Sequence, residues 1–320
     1  MAEQISLPDA DIPVSMDEPP GAAAPPGLNA RSSLRAAIGA FEVHMQQQGF
    51  AENTIKAFLS DLNILAQFVG VGTAIGVIST QDLNRFTDWL VRGRGVSCNP
   101  KSLARRVTTL KVFFGWLAEA EVLPFDPAAP VVHRPVMTPP PEILSDAEVE
   151  RMLEVTQALR RAEKPDARPH LLVTLLLYTG IKKGECMKIV MNHFDLSDPT
   201  QPVLWIRYTN LRRQHKERKL RLPVWWPAVL AEYRAQRRGA VTAPLLFPCT
   251  ARNLEYVLAD VVQRAELGHS LSFEMLRWTC AVRDYRAGMP ADKLRQKLGI
   301  SKITWREVGV KIARLAGPAL

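Results

Sequence analysis

Leu176-Leu177-Tyr178-Thr179-Gly180-Ile181-Lys182-Lys183-Gly184-Glu185 is the stretch from which the C-terminal half of this chain is read. Its first residues end an apolar run, and a buried helix is expected over His170–Thr179. Further on, Val203-Leu204-Trp205-Ile206-Arg207-Tyr208 has the pattern of a strand. Lys219-Leu220-Arg221-Leu222-Pro223 alternates as a second strand would, with a polar turn between the two. Helices are then expected near 226–238, 251–266, 273–287, 290–298 and 303–316. Upstream, Ile143-Leu144-Ser145-Asp146-Ala147-Glu148 sets Ser145 three residues ahead of Glu148, the spacing of a capping box. Residues 143–320 thus read as a mixed but mostly helical domain with a small β-hairpin or sheet.

Seven prolines lie between 124 and 141, including Pro139-Pro140-Pro141. Such a segment cannot stay helical and lacks donors for a sheet, so 124–142 is expected to link two domains. Before it, 31–123 reads as four amphipathic helices, enough for a small bundle. The first runs from about Ser33 to Gln48 on Leu34, Ile38, Phe41 and Met45, and stops at Gly49, a left-handed cap. The second starts at Asn53, a residue type that caps helices, and carries Ile55, Phe58, Leu62, Leu65 and Phe68. The third starts at Ser79 or Thr80, where Ser79 and Asp82 resemble a capping box, and buries Leu83, Phe86, Trp89 and Leu90. The fourth begins near Pro100 and carries Leu103, Val107, Leu110, Phe114 and Leu117.

Residues 1–30 hold five acidic side chains and no Lys or Arg, and six prolines fall within 1–28. They bury too little to offset ordering entropy and are expected to be a disordered acidic tail. Of 32 acidic residues in 320, the remaining 27 face 41 basic ones, so the rest of the chain carries +14 against +9 overall. That balance favours a polyanionic partner. Cys98, Cys186, Cys249 and Cys280 are scattered, without zinc-site or secreted-framework spacing, and read as buried small hydrophobes. No metal and no cofactor are expected. The N-terminus has no signal-peptide pattern and no apolar run spans a membrane, so a cytoplasmic, nucleoid-associated protein is expected.

Several segments, taken in order, resemble one family. Asn53-Thr54-Ile55-Lys56-Ala57-Phe58-Leu59-Ser60-Asp61-Leu62 resembles the opening of the core-binding domain of phage-integrase and Xer-type tyrosine recombinases. The opening stretch 176–185 is similar to the motif carrying the family's first catalytic arginine. Lys216-Glu217-Arg218 and the alternation to Pro223 resemble its β-hairpin. Leu276-Arg277-Trp278-Thr279-Cys280-Ala281 resembles the segment with the second arginine, and Leu298-Gly299 the start of the next motif. Each is weak alone, and their shared order and spacing over roughly 31–316 is strong. The resemblance implies a helical core-binding domain followed by a catalytic-fold domain. In the family a tyrosine attacks the scissile phosphate, assisted by two arginines, two histidine-type groups and a lysine.

Transferred position by position, the resemblance implies a degenerate centre. The first arginine falls on Lys182, a point charge that cannot grip two phosphate oxygens as a guanidinium does. The lysine acid falls near Arg213, which hardly deprotonates. The motif's histidine falls on Glu274, whose carboxylate repels a phosphate. Arg277 is retained, either for a phosphate or paired internally with Glu274 or Glu185. The next His or Trp position falls on Ile300, which donates no hydrogen bond, and the nucleophile falls near Gly309. No tyrosine follows Tyr285, which is expected to be a packed helical aromatic eight residues past Arg277. Without a nucleophile the covalent step is lost.

The resemblance also places DNA contacts. Arg207, Arg212, Arg213 and Lys216 crowd the hairpin, which lies by the minor groove in relatives, although a solvated hairpin face explains them as well. Arg105, Arg106 and Lys111 sit on the fourth helix, which faces the major groove in the family or else is an ordinary exposed face. Asn53, Thr54 and Lys56 at a helix N-terminus would hold a phosphate, with simple capping by Asn53 the alternative. Lys182 and Arg277 complete the set. A two-domain clamp on double-stranded DNA is expected, without cleavage, in an architectural, regulatory or accessory role. The C-terminal helix, with Ile303, Val308, Ile312 and Leu315, would dock on a second copy or an active recombinase, or pack on its own domain. Two rivals remain: a divergent recombinase using Tyr285, Ser301 or Thr304, and a protein-interaction module that has lost DNA.

Overall fold

Residues 27–96, 98–132, 140–237 and 244–317 are described by a computed structural model, with the side chains of Leu211 and Arg212 outside the description. The expected disordered tail therefore lies outside the described residues up to 26, as does 133–139 of the expected linker. The chain divides into two compact units between Pro139 and Pro140.

The first unit is helical. Helix α1 spans Leu34–Gln47, α2 Glu52–Val69, α3 Thr80–Arg92 and α4 Pro100–Glu119. Their ends follow local chemistry. Ser79 Oγ accepts the Asp82 N–H at 3.2 Å while the Asp82 carboxylate accepts the Ser79 N–H at 3.0 Å, so Asp completes the capping box. Asn99 caps α4, its side-chain oxygen accepting the Lys101 N–H at 2.9 Å, and Pro100 takes the first helical position. One expectation is corrected: α2 begins at Glu52 behind Ala51, so Asn53 lies inside the first turn and is not the cap. The apolar stripes meet in one core, with Phe41 and Phe113 edge to face at 5.3 Å. That core continues past 123. Ala128 and Val131 are buried in it, and the Thr80 hydroxyl bonds the Pro127 carbonyl at 2.8 Å.

The second unit is built around α6, Arg168–Thr179, whose residues from Pro169 to Leu177 are all buried. A mostly apolar helix that is buried on every side forms the centre of its domain. Helices α5 (Asp146–Arg160), α8 (Trp226–Gln236), α9 (Ala251–Arg264) and α10 (Phe273–Arg286) lie around it. The Ser145–Glu148 box starts α5, with bonds of 3.3 and 2.8 Å. The short α7 covers Lys183–Cys186, α11 Ala291–Lys297 and α12 Lys302–Ala316. The expected hairpin belongs to a three-stranded antiparallel sheet of order β1 (Phe194–Asp195), β2 (Val203–Ile206) and β3 (Arg218–Arg221). Leu204 faces Leu220 on the core side, and Trp205 faces Lys219 on the other. The β2–β3 connection is not a tight turn but holds a 3₁₀ segment, Leu211–Lys216.

Candidate functional site

Helix α6 ends at Gly180, which has φ of +60°. A Cβ there would lie 3.0 Å from Leu298 and 3.1 Å from Cys280, so glycine answers both the backbone conformation and the close approach of α10 and the end of α11. Arg277, on α10, donates to the Gly180 carbonyl, and its second terminal nitrogen donates to the Leu298 carbonyl at 2.7 Å. One guanidinium thus fastens three chain segments. Glu185 accepts from Arg218, and exposed Glu274 accepts from the Trp278 indole at 3.5 Å.

Glu185 is the hub beside it. Its carboxylate accepts two hydrogen bonds of 2.9 Å from Arg218, one from the Tyr208 hydroxyl, and the Lys182 N–H at 2.9 Å. Burial pushes the carboxyl up, but the Arg218 guanidinium, the Tyr208 hydroxyl and the Lys182 N–H outweigh it and hold it at about 2. Burial, reinforced by the same carboxylate, pushes the Tyr208 phenol well above its ordinary range. Arg218 also donates to the Lys297 carbonyl at 2.7 Å. Its guanidinium lies against Gly299, where a Cβ would come within 2.7 Å. The ends of α6 and α11, the start of α7 and the β2–β3 connection are therefore tied into one centre.

That centre gathers several of the expected positions. Lys182 is half-buried at the start of α7, and Arg277 is fixed beside Gly180. Ile300 is half-buried and packs into an apolar cluster with Trp305 and Leu298, which suits a side chain with no donor. Arg213 is half-buried in the 3₁₀ segment, its N–H bonded to the Asn210 carbonyl at 2.9 Å. Gly309 lies mid-way along α12, and a Cβ there would meet the Trp305 ring at 3.1 Å. Tyr285 is corrected: it is 37% exposed at the far end of α10 and is not a packed aromatic. Ser301 and Thr304 are engaged at the start of α12, where Ser301 Oγ accepts the Thr304 N–H at 3.1 Å. Helix α12 packs on its own unit through buried Ile312 with Val308 and Leu315, leaving Ile303 exposed.

The basic residues divide. On the outer face of the sheet, Trp205 is flanked by Arg207 at 4.7 Å and Lys219 at 4.2 Å from its ring centre. Lys216 is half-buried and its carbonyl accepts from Arg218 at 3.2 Å. The Arg212 side chain lies outside the described residues. In the first unit, Lys56 pairs with Glu52 at 2.6 Å beside exposed Asn53 and half-buried Thr54. Lys111 reaches the Ala129 carbonyl at 3.4 Å. Arg105 and Arg106 are not an ordinary exposed face, because both turn onto Asp61, a carboxylate only 2% exposed. Asp61 was missed, although its place three residues after Phe58 and beside Leu62 puts it on the buried face of α2. A carboxylate there needs a cationic partner.

Among the described residues no group of three or more His, Cys, Asp or Glu is arranged to hold a metal, and no helix is long and apolar enough to cross a membrane. Residues 38–121 match the family model described as phage integrase, N-terminal SAM-like domain. The chain is 23% identical to the tyrosine recombinase XerC of Lacticaseibacillus casei over 279 residues, covering 85% of this chain and 92% of that one. It is 25% identical to the tyrosine recombinase XerD of Vibrio cholerae, covering 63% and 64%. Two solved structures share its fold. The Tn1549 transposon integrase in complex with transposon right end DNA matches with a TM-score of 0.67 at 18% identity, over 89% of this chain and all of that one. The XerH site-specific recombinase bound to palindromic difH substrate matches with a TM-score of 0.64 at 16% identity, over 93% and 97%.

Proposed function

The chain belongs to the tyrosine recombinase superfamily, and from that premise we propose that it binds double-stranded DNA without cutting it. The observation that carries the non-cleaving half is that no tyrosine follows Tyr285 in the sequence, while the resemblance puts the nucleophile near Gly309, which lies against the Trp305 ring. The rest of the centre agrees. Lys182, Arg213, Glu274 and Ile300 replace groups that grip or protonate a phosphate, and loss of one such group typically costs ~10² to 10⁴ in rate. Arg277 and Arg218 brace backbone carbonyls and a carboxylate, which keeps the centre folded whether or not it reacts.

The rival nucleophiles fit poorly. Ser301 and Thr304 are engaged in capping α12. Tyr285 lies eight residues beyond Arg277 on one helix, about 12 Å along its axis at ~1.5 Å per residue.

DNA binding is supported by the +14 outside the acidic N-terminal segment, the cationic outer face around Trp205, and the DNA complexes among the structural relatives. Residues 31–123 act as core-binding domain and 143–320 as a catalytic-fold domain that has lost its chemistry. Asn53, Thr54, Lys56, Arg105, Arg106 and Lys111 serve the first, and Lys182, Arg207, Arg212, Arg213, Lys216 and Arg277 the second. The protein then works at the nucleoid in the cytoplasm as an architectural or accessory factor. Two assays test this. Duplex binding should weaken steeply between ~50 and ~200 mM salt if several phosphates are contacted. A duplex with a trapping nick should give no covalent protein–DNA product, and a product abolished by changing Tyr285, Ser301 or Thr304 would refute the reading.

A further inference from the structure

Asp61 is the most deeply buried carboxylate among the described residues of the first unit, and three side chains from α4 close around it. Arg105 donates to one oxygen at 2.9 Å, Arg106 Nε lies 3.4 Å from that same oxygen, and the Thr109 hydroxyl bonds the other at 3.0 Å. Successive residues of a helix point about 100° apart, so neighbouring arginines ordinarily diverge. Here one acceptor draws both to the same place. Arg106 is the deeper, its side chain 11% exposed and one nitrogen 2.9 Å from the Cys98 sulfur. Arg105 is the outer one at 23%.

Fold stability alone does not account for this arrangement. Burial pushes the Asp61 carboxyl up, with Arg105, Thr109 and Arg106 working against it, so the charge is held at a cost. A single arginine would neutralise it, yet two are present, and the cluster keeps one surplus positive charge. The Nε atoms of both arginines are buried without a hydrogen-bond partner. The outcome is a guanidinium fork locked in place with donor hydrogens left over on Arg105. A phosphate contact needs only charge and reach. A fork of fixed orientation is what bidentate recognition of a guanine edge requires, and a helix of 20 residues such as α4 fits the major groove. Locking the side chain beforehand removes ordering entropy from the binding step.

We propose that Asp61 is a positioning residue that sets Arg105 to read a guanine, with Arg106 as the inner brace. This rests on the reading that the chain binds duplex DNA. The test is selection of binding sites from a random duplex library by the full-length chain, by Asp61→Asn and by Arg105→Lys, each checked for folding by thermal melting. The wild-type pool should show a guanine preferred by about tenfold or more at one position. Both variants should lose that preference while the other selected positions persist. A role in stability alone would weaken every position together or none, and either result overturns the proposal. If Asp61→Asn fails to fold, Arg105→Lys decides, since it keeps the charge and removes the fork; retention of the guanine then overturns the proposal. A wild-type chain that binds duplex with no preferred guanine overturns this inference alone. One that binds no duplex overturns the DNA-binding reading with it.

Discussion

Glu185 and Arg218 face each other fork to fork, with two hydrogen bonds of 2.9 Å and side chains 4% and 8% exposed. The pair joins the start of α7 to β3, and through the Lys297 carbonyl to the end of α11. It therefore holds together the segment that carries Lys182 and the end of α11 just ahead of Ile300.

Breaking one side of this pair should be costly, because it leaves the other charge buried. Arg218→Ala is expected to lose about 3–5 kcal/mol in urea denaturation. The pH dependence has a definite sign. The Glu185 carboxyl is held below its ordinary 4.5, at about 2, so its contribution is present above 4.5 and is lost as pH falls through that window. Glu185→Gln should be less stable at neutral pH and should lack this part of the acid-induced loss.

His170 gives a second window. It is 7% exposed, with its ring nitrogen 2.9 Å from the Thr156 hydroxyl. Burial, reinforced by Arg160 and Arg161 and opposed by Glu232, pushes it down to about 4. The unfolded chain then binds the proton first as pH falls below 6.5, so the contribution of neutral His170 is lost between about 6.5 and 4. His170→Gln should flatten the stability–pH curve in that interval, and NMR titration of the ring should find its midpoint near the lower end.

If the proposed non-cleaving reading holds, placing a tyrosine at position 309 should not give cleavage. In Gly309→Tyr the new Cβ would sit 3.1 Å from the Trp305 ring, so Trp305→Ala is needed beside it. On the proposed reading, even that double variant still lacks the groups whose positions fall on Lys182, Arg213, Glu274 and Ile300, each worth ~10² to 10⁴ in rate. A nicked duplex resolved on a denaturing gel should show no covalent product. Product from the tyrosine variant alone would mean that the remaining pocket is competent.

Much of the fold was legible because its signals are local. The stripes of α1 to α4, the Ser79–Asp82 and Ser145–Glu148 boxes, and the mostly apolar α6 each follow from residues within a few positions of one another. Asn53 was misplaced by two positions because a cap-type residue is equally at home just inside a helix start, and Ala51 carries no capping side chain to mark the boundary. Tyr285 was misjudged because helical spacing tells which face a residue lies on and not whether anything covers the end of that face.

The sequence by itself determined the helical periodicity, the excess of positive charge, and the absence of any tyrosine after residue 285. Those are properties of composition and of neighbours along the chain, and no packing alters them. Only the tertiary structure decided which charges meet. Arg105 finds Asp61 at a separation of 44 residues, Arg218 finds Glu185 at 33, and Arg277 reaches carbonyls 97 and 21 residues away. A charged side chain is paired by whatever long-range packing brings within about 3 Å of it, so a basic residue read as a DNA contact can instead be an internal brace until the fold is known.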